Sequence, residues 1–368
     1  MNKKKVFLII PSLHRGGAER VTSILASNLN NKLFDVTLVL LEKRGSYLND
    51  LKDDVKILDL NIKSVKKSIL PLIMLINKEK PDLVYSTLGH LNLMLMMARF
   101  LMPKKTKFVG REASIPSILN ENEKYPKIFN YLYRRLYPKF NKIICQSNFM
   151  KNDLIENFNI NSGNLEVINN PLDFAKIKKK VNENNKNHLF DKNKKNIVAI
   201  GSLEHVKGYD MLMKAMSKIT RDDICLYIIG TGKLENKLND LIIELNLKER
   251  VKLLGFKENP YVYMREADFG ILSSRYEGFP NTVLETLACG TPVIAFKCPG
   301  GVEEIIIESI NGYFVEAGNI DQLANTIESK IDNQLLPQVI VDSVYDRYNL
   351  QYIIRKYDNL FKDIINDN

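Results

Sequence analysis

A chain of 368 residues, 45% of them hydrophobic, is long enough for two domains that each enclose a core. The formal net charge of +10 is modest, and runs such as Lys3-Lys4-Lys5, Lys104-Lys105 with Lys107, Arg134-Arg135 and Lys178-Lys179-Lys180 concentrate it in the first half. Such runs suit an anionic ligand or surface, although solvated lysines are their ordinary origin. The four cysteines, Cys145, Cys225, Cys289 and Cys298, lack the paired spacing of a zinc site and mark no secreted disulfide framework. No metal site is read from them, and a cytoplasmic setting is expected. Val6–Ile10 is too short for the apolar core of a signal peptide, and Leu88–Met102 is broken by His90, Asn92 and Arg99. Any membrane contact is therefore expected to be peripheral.

Taken in order, Val6–Ile10 predicts a strand, Ser12–Arg20 a glycine turn, and the residues through Leu29 a helix. Strands follow at Asp35–Leu41 and Val55–Leu60, a helix at Ile69–Lys80, and strands at Asp82–Ser86, Lys107–Gly110 and Lys142–Gln146. A helix begins at Asn148, and Val167–Asn170 closes the half as its last strand. Tyr131–Phe140 predicts a basic, aromatic helix whose tyrosines could sit at a lipid interface or simply pack on the protein. Lys176–Lys195, rich in Lys and Asn, reads as an exposed linker or surface insertion.

A second series starts at Asn196–Ile200, turns through Gly201–Gly208, and enters a helix at Tyr209. Strands at Cys225–Ile229, Val251–Leu254, Ala267–Leu272, Val293–Phe296 and Tyr313–Val315 alternate with helices, and the remainder is helical. This alternation specifies parallel sheets covered on both faces, so the expected class is α/β with two doubly wound halves separated by a cleft. Ligands of such sheets sit at the carboxyl ends of the strands.

The chemistry gathers in Ser274-Arg275-Tyr276-Glu277-Gly278-Phe279-Pro280-Asn281-Thr282-Val283-Leu284-Glu285, closed by Cys289-Gly290-Thr291-Pro292. Gly278 and Pro280 mark a loop, Asn281 an N-cap, and Gly290 with Pro292 the stop of a helix from Thr282 to Cys289. On that reading Glu277 lies in the loop and Glu285 in the first helical turn. Carboxylates so placed could bind sugar hydroxyls beside N–H groups that accept phosphate, or merely complement the helix dipole. Gly16-Gly17 allows close approach of a phosphate or sugar, and is equally an ordinary tight turn. Lys207 could give a diphosphate its point charge or be a solvated loop lysine. Gly230-x-Gly232 lacks the third glycine of the dinucleotide fingerprint, Glu235 standing in its place. Arg111-Glu112, after a strand, could bind substrate or pair with each other, and His14, His90 and His205 have no metal-ligand spacing.

Together these stretches resemble the family 4 (group 1) glycosyltransferases, retaining enzymes with the two-Rossmann-domain GT-B fold. The resemblance covers nearly the whole chain and is most specific from Glu277 to Glu285, with Cys289-Gly290-Thr291-Pro292-Val293 and Gly300-Gly301. It implies an acceptor-binding domain over 1–175 and a nucleotide-sugar domain over 190–346, with a helix near 347–368 packing back on the first. It further implies that Glu277 contacts donor-sugar hydroxyls, Glu285 the ribose, and Lys207 the diphosphate. Backbone of Phe279, Pro280, Asn281 and Thr282 would hold sugar and phosphates, and Phe256 and Lys257 would border the base. Gly17 would approach the donor from the other domain, Ser202 and Gly232 would complete the donor site, and Arg111 and Glu112 would face the acceptor. The family commonly has Arg where Ser202 stands and a histidine after the strand that here continues into Arg111-Glu112-Ala113-Ser114, so no catalytic histidine is carried over. The implied activity is metal-independent, cofactor-free transfer of a hexose or N-acetylhexosamine from a UDP-sugar to a lipid-linked or polysaccharide acceptor. The expected location is the inner face of the plasma membrane, with no nucleic-acid partner. A UDP-N-acetylglucosamine 2-epimerase-like enzyme and a noncatalytic nucleotide-sugar or membrane-binding protein are the alternatives.

Overall fold

The computed structural model describes residues 3–14, 16–183 and 190–367. The chain divides into two compact units, Met1–Pro171 with Gln351–Asn368, and Leu172–Leu350. The first carries β1 (Lys4–Ile10), α1 (Gly17–Asn28), β2 (Phe34–Leu40), β3 (Lys56–Asp59), α2 (Ile69–Glu79), β4 (Leu83–Thr87) and α3 (Gly89–Met97). It continues with β5 (Lys107–Arg111), α4 (Pro116–Glu121), α5 (Pro126–Leu136), β6 (Lys142–Cys145), α6 (Asn148–Phe158) and β7 (Leu165–Val167). Its seven strands form a parallel sheet in the order β3-β2-β1-β4-β5-β6-β7. Because helices cover both faces, the central strands are buried on both sides, Val6–Ile10 of β1 as an unbroken apolar run and Leu83–Thr87 of β4 with Ser86 and Thr87 buried as well.

The second unit carries α7 (Phe174–Val181), β8 (Lys195–Ile200), α8 (Tyr209–Lys218), β9 (Ile224–Ile229), α9 (Glu235–Glu244), β10 (Val251–Gly255) and α10 (Tyr261–Glu266). Then come β11 (Phe269–Leu272), α11 (Asn281–Ala288), β12 (Val293–Phe296), β13 (Gly312–Val315), α12 (Ile320–Lys330) and α13 (Pro337–Tyr348). Six parallel strands are ordered β10-β9-β8-β11-β12-β13. In both sheets the strand order reverses once, at β1/β4 and at β8/β11, and each reversal opens a crevice at the carboxyl ends of the strands.

Several expectations are corrected. The basic helix begins at Pro126, five residues before the expected Tyr131, because proline at the first helical position is preorganised for entry, and it ends at Leu136. Tyr133 and Tyr137 lie four residues apart on one face, so both turn inward, stacked at 4.2 Å between ring centroids, and Phe140 is buried with them. Most of the aromatic character expected at a lipid interface therefore belongs to the core. Lys176–Lys195 is not wholly a linker: the Asp173 carboxylate caps the Lys176 N–H, and Phe174, Ile177 and Val181 pack one stripe of α7. Residues 184–189 of that stretch lie outside the described residues. The last strand of the first sheet is Leu165–Val167, paired with Ile143–Cys145, two residues before the expected start. Leu88–Met102 contains a nine-residue helix, and among the described residues no helix is long and apolar enough to cross a membrane.

The last helix, α14 (Leu350–Asn366), belongs almost entirely to the first unit. Its Ile353, Tyr357, Phe361 and Ile364 recur at helical spacing and are buried. Phe361 lies 6.2 Å from Phe34 and 6.1 Å from Tyr85 between ring centroids, while the Asp358 carboxylate accepts the Asn30 N–H at 3.0 Å. Phe361→Ala is expected to destabilise this unit by about 3–5 kcal/mol, the usual cost of emptying a buried aromatic site. Urea unfolding followed by tyrosine fluorescence checks this, and a loss below about 1 kcal/mol would show that α14 is not part of that core.

Candidate active site

In the second unit the residues that follow β8 and β11 emerge side by side, since Ile197 and Val198 pair with Phe269 and Gly270. After β8 the chain turns through Gly201–Gly208 and presents Lys207; after β11 it runs through Ser273–Pro280 and presents Glu277. Lys207 Nζ donates to Glu277 Oε1 at 2.7 Å, across 70 residues of sequence. Ser274 Oγ donates to the same oxygen at 2.6 Å. Oε2 has no protein partner among the described residues, so one oxygen is fixed by the protein and the other remains to accept from a ligand. The side chains keep 19% and 12% of their exposure, enough burial to weaken competition from water.

Both loops are held rigidly. Gly208 has φ +64°, and an added Cβ would lie 2.0 Å from the Ser273 carbonyl oxygen, so only glycine lets the loops meet so closely. The Ser273 hydroxyl donates to the Lys207 carbonyl at 2.9 Å. Arg275 makes a bidentate pair with Asp210 at 2.9 and 2.8 Å and also donates to the His205 carbonyl at 2.7 Å. Burial works against the charge of Asp210, yet the Arg275 hydrogen bonds hold its carboxyl below the usual range. Behind Glu277, Gly300 has φ +128°, and a Cβ there would sit 1.5 Å from the Glu277 carbonyl oxygen. Burial first, then the Glu277 charge, pushes the Cys298 thiol up to about 12, which leaves it protonated and unreactive beside the site.

Asn281 is not the N-cap: Pro280 occupies that position and Asn281 is the first residue of α11. Glu285 is consequently the fifth helical residue, beyond the first turn, where the dipole contributes little. It is buried and its Oε1 accepts from the Tyr261 hydroxyl at 3.2 Å. Neither glutamate is therefore a simple complement to the helix dipole. Phe279 is buried against Tyr348, Pro280 is also buried, and Asn281 and Thr282 are half-buried at the start of the helix.

Ser202 is exposed in the turn after β8, and Gly232 fits against the Leu203 carbonyl, where a Cβ would lie at 2.5 Å. Phe256, 47% exposed, and Lys257 follow β10. These residues share the strand edge that carries Lys207 and Glu277, whereas Gly17, Arg111 and Glu112 belong to the first unit. Ser274, Tyr261, Asp210 and Arg275 support the two carboxylates without having been singled out as site residues. Ser274 and Arg275 were visible as neighbours of Glu277, but nothing in the sequence paired them with partners.

In the first unit Gly17 is the exposed first residue of α1, whereas Arg111 and Glu112 are buried. The two are hydrogen-bonded to different partners rather than to each other. Arg111 Nη2 donates to Asn170 Oδ1 at 2.5 Å, while its Nε and Nη1 have no hydrogen-bond partner among the described residues. The Glu112 carboxylate accepts from the Tyr137 hydroxyl and from Asn92 Nδ2. Burial pushes its carboxyl up to about 7, against the hydrogen bonds from Tyr137 and Asn92 and the charge of Arg111.

Two predictions follow from this geometry. Gly300→Ala is expected to cost about 1–3 kcal/mol, since the new methyl group must displace the backbone of Glu277; chemical denaturation checks it, and a cost under about 0.5 kcal/mol would mean the loop yields freely. For Glu112, the folded pKa lies above the unfolded one, so its contribution is fully present below pH 4.5 and is lost as pH rises through about 7. Glu112→Gln should flatten that decline, which can reach about 1.4 kcal/mol per pH unit. Parallel stability curves for wild type and variant between those limits would overturn the assignment.

Residues 15–176 match the family described as Glycosyltransferase Family 4, and residues 180–347 match Glycosyl transferases group 1. A Campylobacter jejuni protein, N-acetylgalactosamine-N,N'-diacetylbacillosaminyl-diphospho-undecaprenol 4-alpha-N-acetylgalactosaminyltransferase, is 31% identical over 90% of this chain and 92% of its own length. The amylovoran biosynthesis glycosyltransferase AmsD of Erwinia amylovora is 22% identical over 97% of this chain and 99% of its own. The crystal structure of Anabaena HepE in complex with UDP matches with a TM-score of 0.81 at 20% identity, covering 98% of this chain and 100% of HepE. With family matches along both units and a relative 31% identical over nine-tenths of its length, the chain belongs to the family 4, group 1 glycosyltransferases and has the two-domain α/β GT-B fold.

Proposed function

We propose that this glycosyltransferase moves a hexose or N-acetylhexosamine from a UDP-sugar to a lipid-linked or polysaccharide precursor, with retention of anomeric configuration. The observation that carries the reading is the Lys207–Glu277 pair at the β8/β11 reversal, with Glu277 Oε2 left without a partner among the described residues. Support for a lipid-linked acceptor comes from the diphospho-undecaprenol named for the Campylobacter relative, and support for a uridine diphosphate from the HepE complex.

On this reading Glu277 Oε2 accepts a donor-sugar hydroxyl, while Lys207 and Ser274 hold Oε1 and so set the plane of the carboxylate. Lys207 also lies within reach of the diphosphate, where its ammonium offsets the charge that grows as the sugar–phosphate bond breaks. The first turn of α11, capped by Pro280 rather than by a hydrogen-bonding side chain, presents backbone N–H groups to the same phosphates. Glu285, oriented by Tyr261, takes the ribose hydroxyls. The acceptor hydroxyl attacks from the face the diphosphate leaves, and a leaving phosphate oxygen takes its proton, so neither glutamate acts as general base. The nucleotide sugar is a substrate and no separate cofactor enters. The enzyme works at the inner face of the plasma membrane.

Incubation with a panel of nucleotide sugars and a polyprenyl-diphosphate acceptor tests the reading by acceptor-dependent nucleotide release. Glu277→Gln is expected to lower kcat by roughly 10²–10³-fold, and Lys207→Met similarly, as when one charge-stabilising group is removed. Circular dichroism should be unchanged in both. Release that is independent of acceptor with every donor, or full turnover by Glu277→Gln, would overturn it.

A further inference from the structure

Helix α2 is apolar on two faces. Leu72 and Ile76 are fully buried, whereas Leu70 and Met74, one turn apart on the opposite side, are 62% and 65% exposed. Beside them, the end of α3 and the segment after it display Met97, Phe100 and Leu101, with Phe100 80% exposed. The two stretches adjoin, because Asn77 Nδ2 donates to the carbonyls of both Ile73 and Leu101, at 2.9 and 2.8 Å. Nor is the display a loose loop: Arg99 donates to the carbonyls of Met102, Pro103, Lys104 and Thr106, and its guanidinium stacks 4.6 Å from the Phe108 ring centroid. The apolar side chains are held outward by a built turn. A patch of this kind marks an interaction surface rather than the scattered exposure of ordinary monomers.

The border says what covers it. Lys63, Lys66 and Lys67 precede α2, and Lys104 and Lys105 follow Leu101; all five are exposed. None of their ammonium groups has an acidic, carbonyl or ring partner among the described residues. Across residues 61–80 and 97–107 there are nine basic residues and one acidic one, Glu79, which is engaged by Lys5 at 3.0 Å. By contrast, beside the exposed Tyr125, Ile128 and Tyr131 at α5, three of the four neighbouring cations, all but Lys127, are turned onto the chain's own groups. Lys124 and Arg135 lie over the Tyr125 and Tyr131 rings, and Arg134 donates to the Asn157 carbonyl. An apolar centre ringed by unengaged lysines complements acyl chains beneath anionic headgroups, where side-chain burial and charge attraction add.

We propose that α2 and residues 97–105 form one membrane-docking face, which inserts Leu70, Met74, Phe100 and Leu101 into an anionic phospholipid bilayer while the bordering lysines meet its headgroups. The inference deepens the proposed function, in which the acceptor is lipid-linked, by naming the surface that reaches it. It also moves lipid contact away from Tyr131–Phe140.

Flotation of the full chain with vesicles of phosphatidylglycerol and phosphatidylcholine, or of phosphatidylcholine alone, tests it. Wild type is expected to float with the anionic vesicles, and at least ten-fold less with neutral ones or at high salt. The double variant Met74→Ser/Phe100→Ser should lose at least ten-fold in vesicle recovery, while Ile128→Ser/Tyr131→Ser on α5 binds as wild type does. Both pairs are exposed, and unchanged thermal melting confirms that they fold. Equal recovery for the α2-side variant, loss confined to the α5 variant, or no vesicle binding by wild type would overturn the proposal. So would self-association abolished by Met74→Ser/Phe100→Ser without effect on flotation, which would assign the face to a second copy of the chain. Transfer to a short-chain, water-soluble acceptor should be equal in wild type and the α2-side variant. Intact flotation with no transfer would refute the proposed function alone.

Discussion

The contact between Lys207 and Glu277 depends on two loops being brought within hydrogen-bond distance at the one place where the strand order of the second sheet reverses. Moving either loop by an ångström would part the charges, and much of the local structure opposes that movement. Gly208 admits the Ser273 carbonyl, Gly300 admits the Glu277 carbonyl, and Arg275 ties the base of one loop to the first turn after the other. A partly buried ion pair is weak justification for so much constraint, because the desolvation it requires offsets much of its attraction. The proposed function, in which this pair presents a carboxylate oxygen and an ammonium to a charged sugar donor, supplies a better reason, since preorganised charge needs no rearrangement during reaction.

The first unit uses the same sheet plan for a different arrangement of charge. The end of β5 carries Arg111 and Glu112 into the interior, with Glu112 satisfied by Tyr137 and Asn92 while two nitrogens of Arg111 lack a hydrogen-bond partner among the described residues. Both side chains are buried. Aromatic rings that the sequence associates with a lipid surface, Tyr133 and Tyr137, instead enclose that interior. The surface that does expose large apolar groups is built from α2 and the turn after α3, whose shape depends on the commitments of Asn77 and Arg99 to backbone carbonyls.

Strand and helix alternation was legible residue by residue because strands covered on both faces must be apolar throughout. Val293–Phe296 is the strand expected from its composition, and most others agree within one or two residues. Punctuation by Gly290, which has φ +81°, likewise announced the end of α11. Less legible were elements whose apolar residues are few or interrupted. The Lys-rich run hid α7 because its buried stripe occupies only three positions, and α3 was concealed inside a stretch whose apolar residues point several ways.

Sequence alone determined the class of fold, the two successive sheets, the family resemblance and the prominence of Lys207, Glu277 and Glu285, because each rests on local periodicity or on a contiguous pattern. Tertiary structure decided which side chains meet. It joined Lys207 to Glu277 over 70 residues and Arg275 to Asp210 over 65, placed Glu285 beyond the first helical turn, and turned Tyr133 and Tyr137 inward. The reason is physical: a residue's helical or strand preference is set by its neighbours in the chain, whereas its partner and burial are set by which distant segments the assembled sheet brings against it.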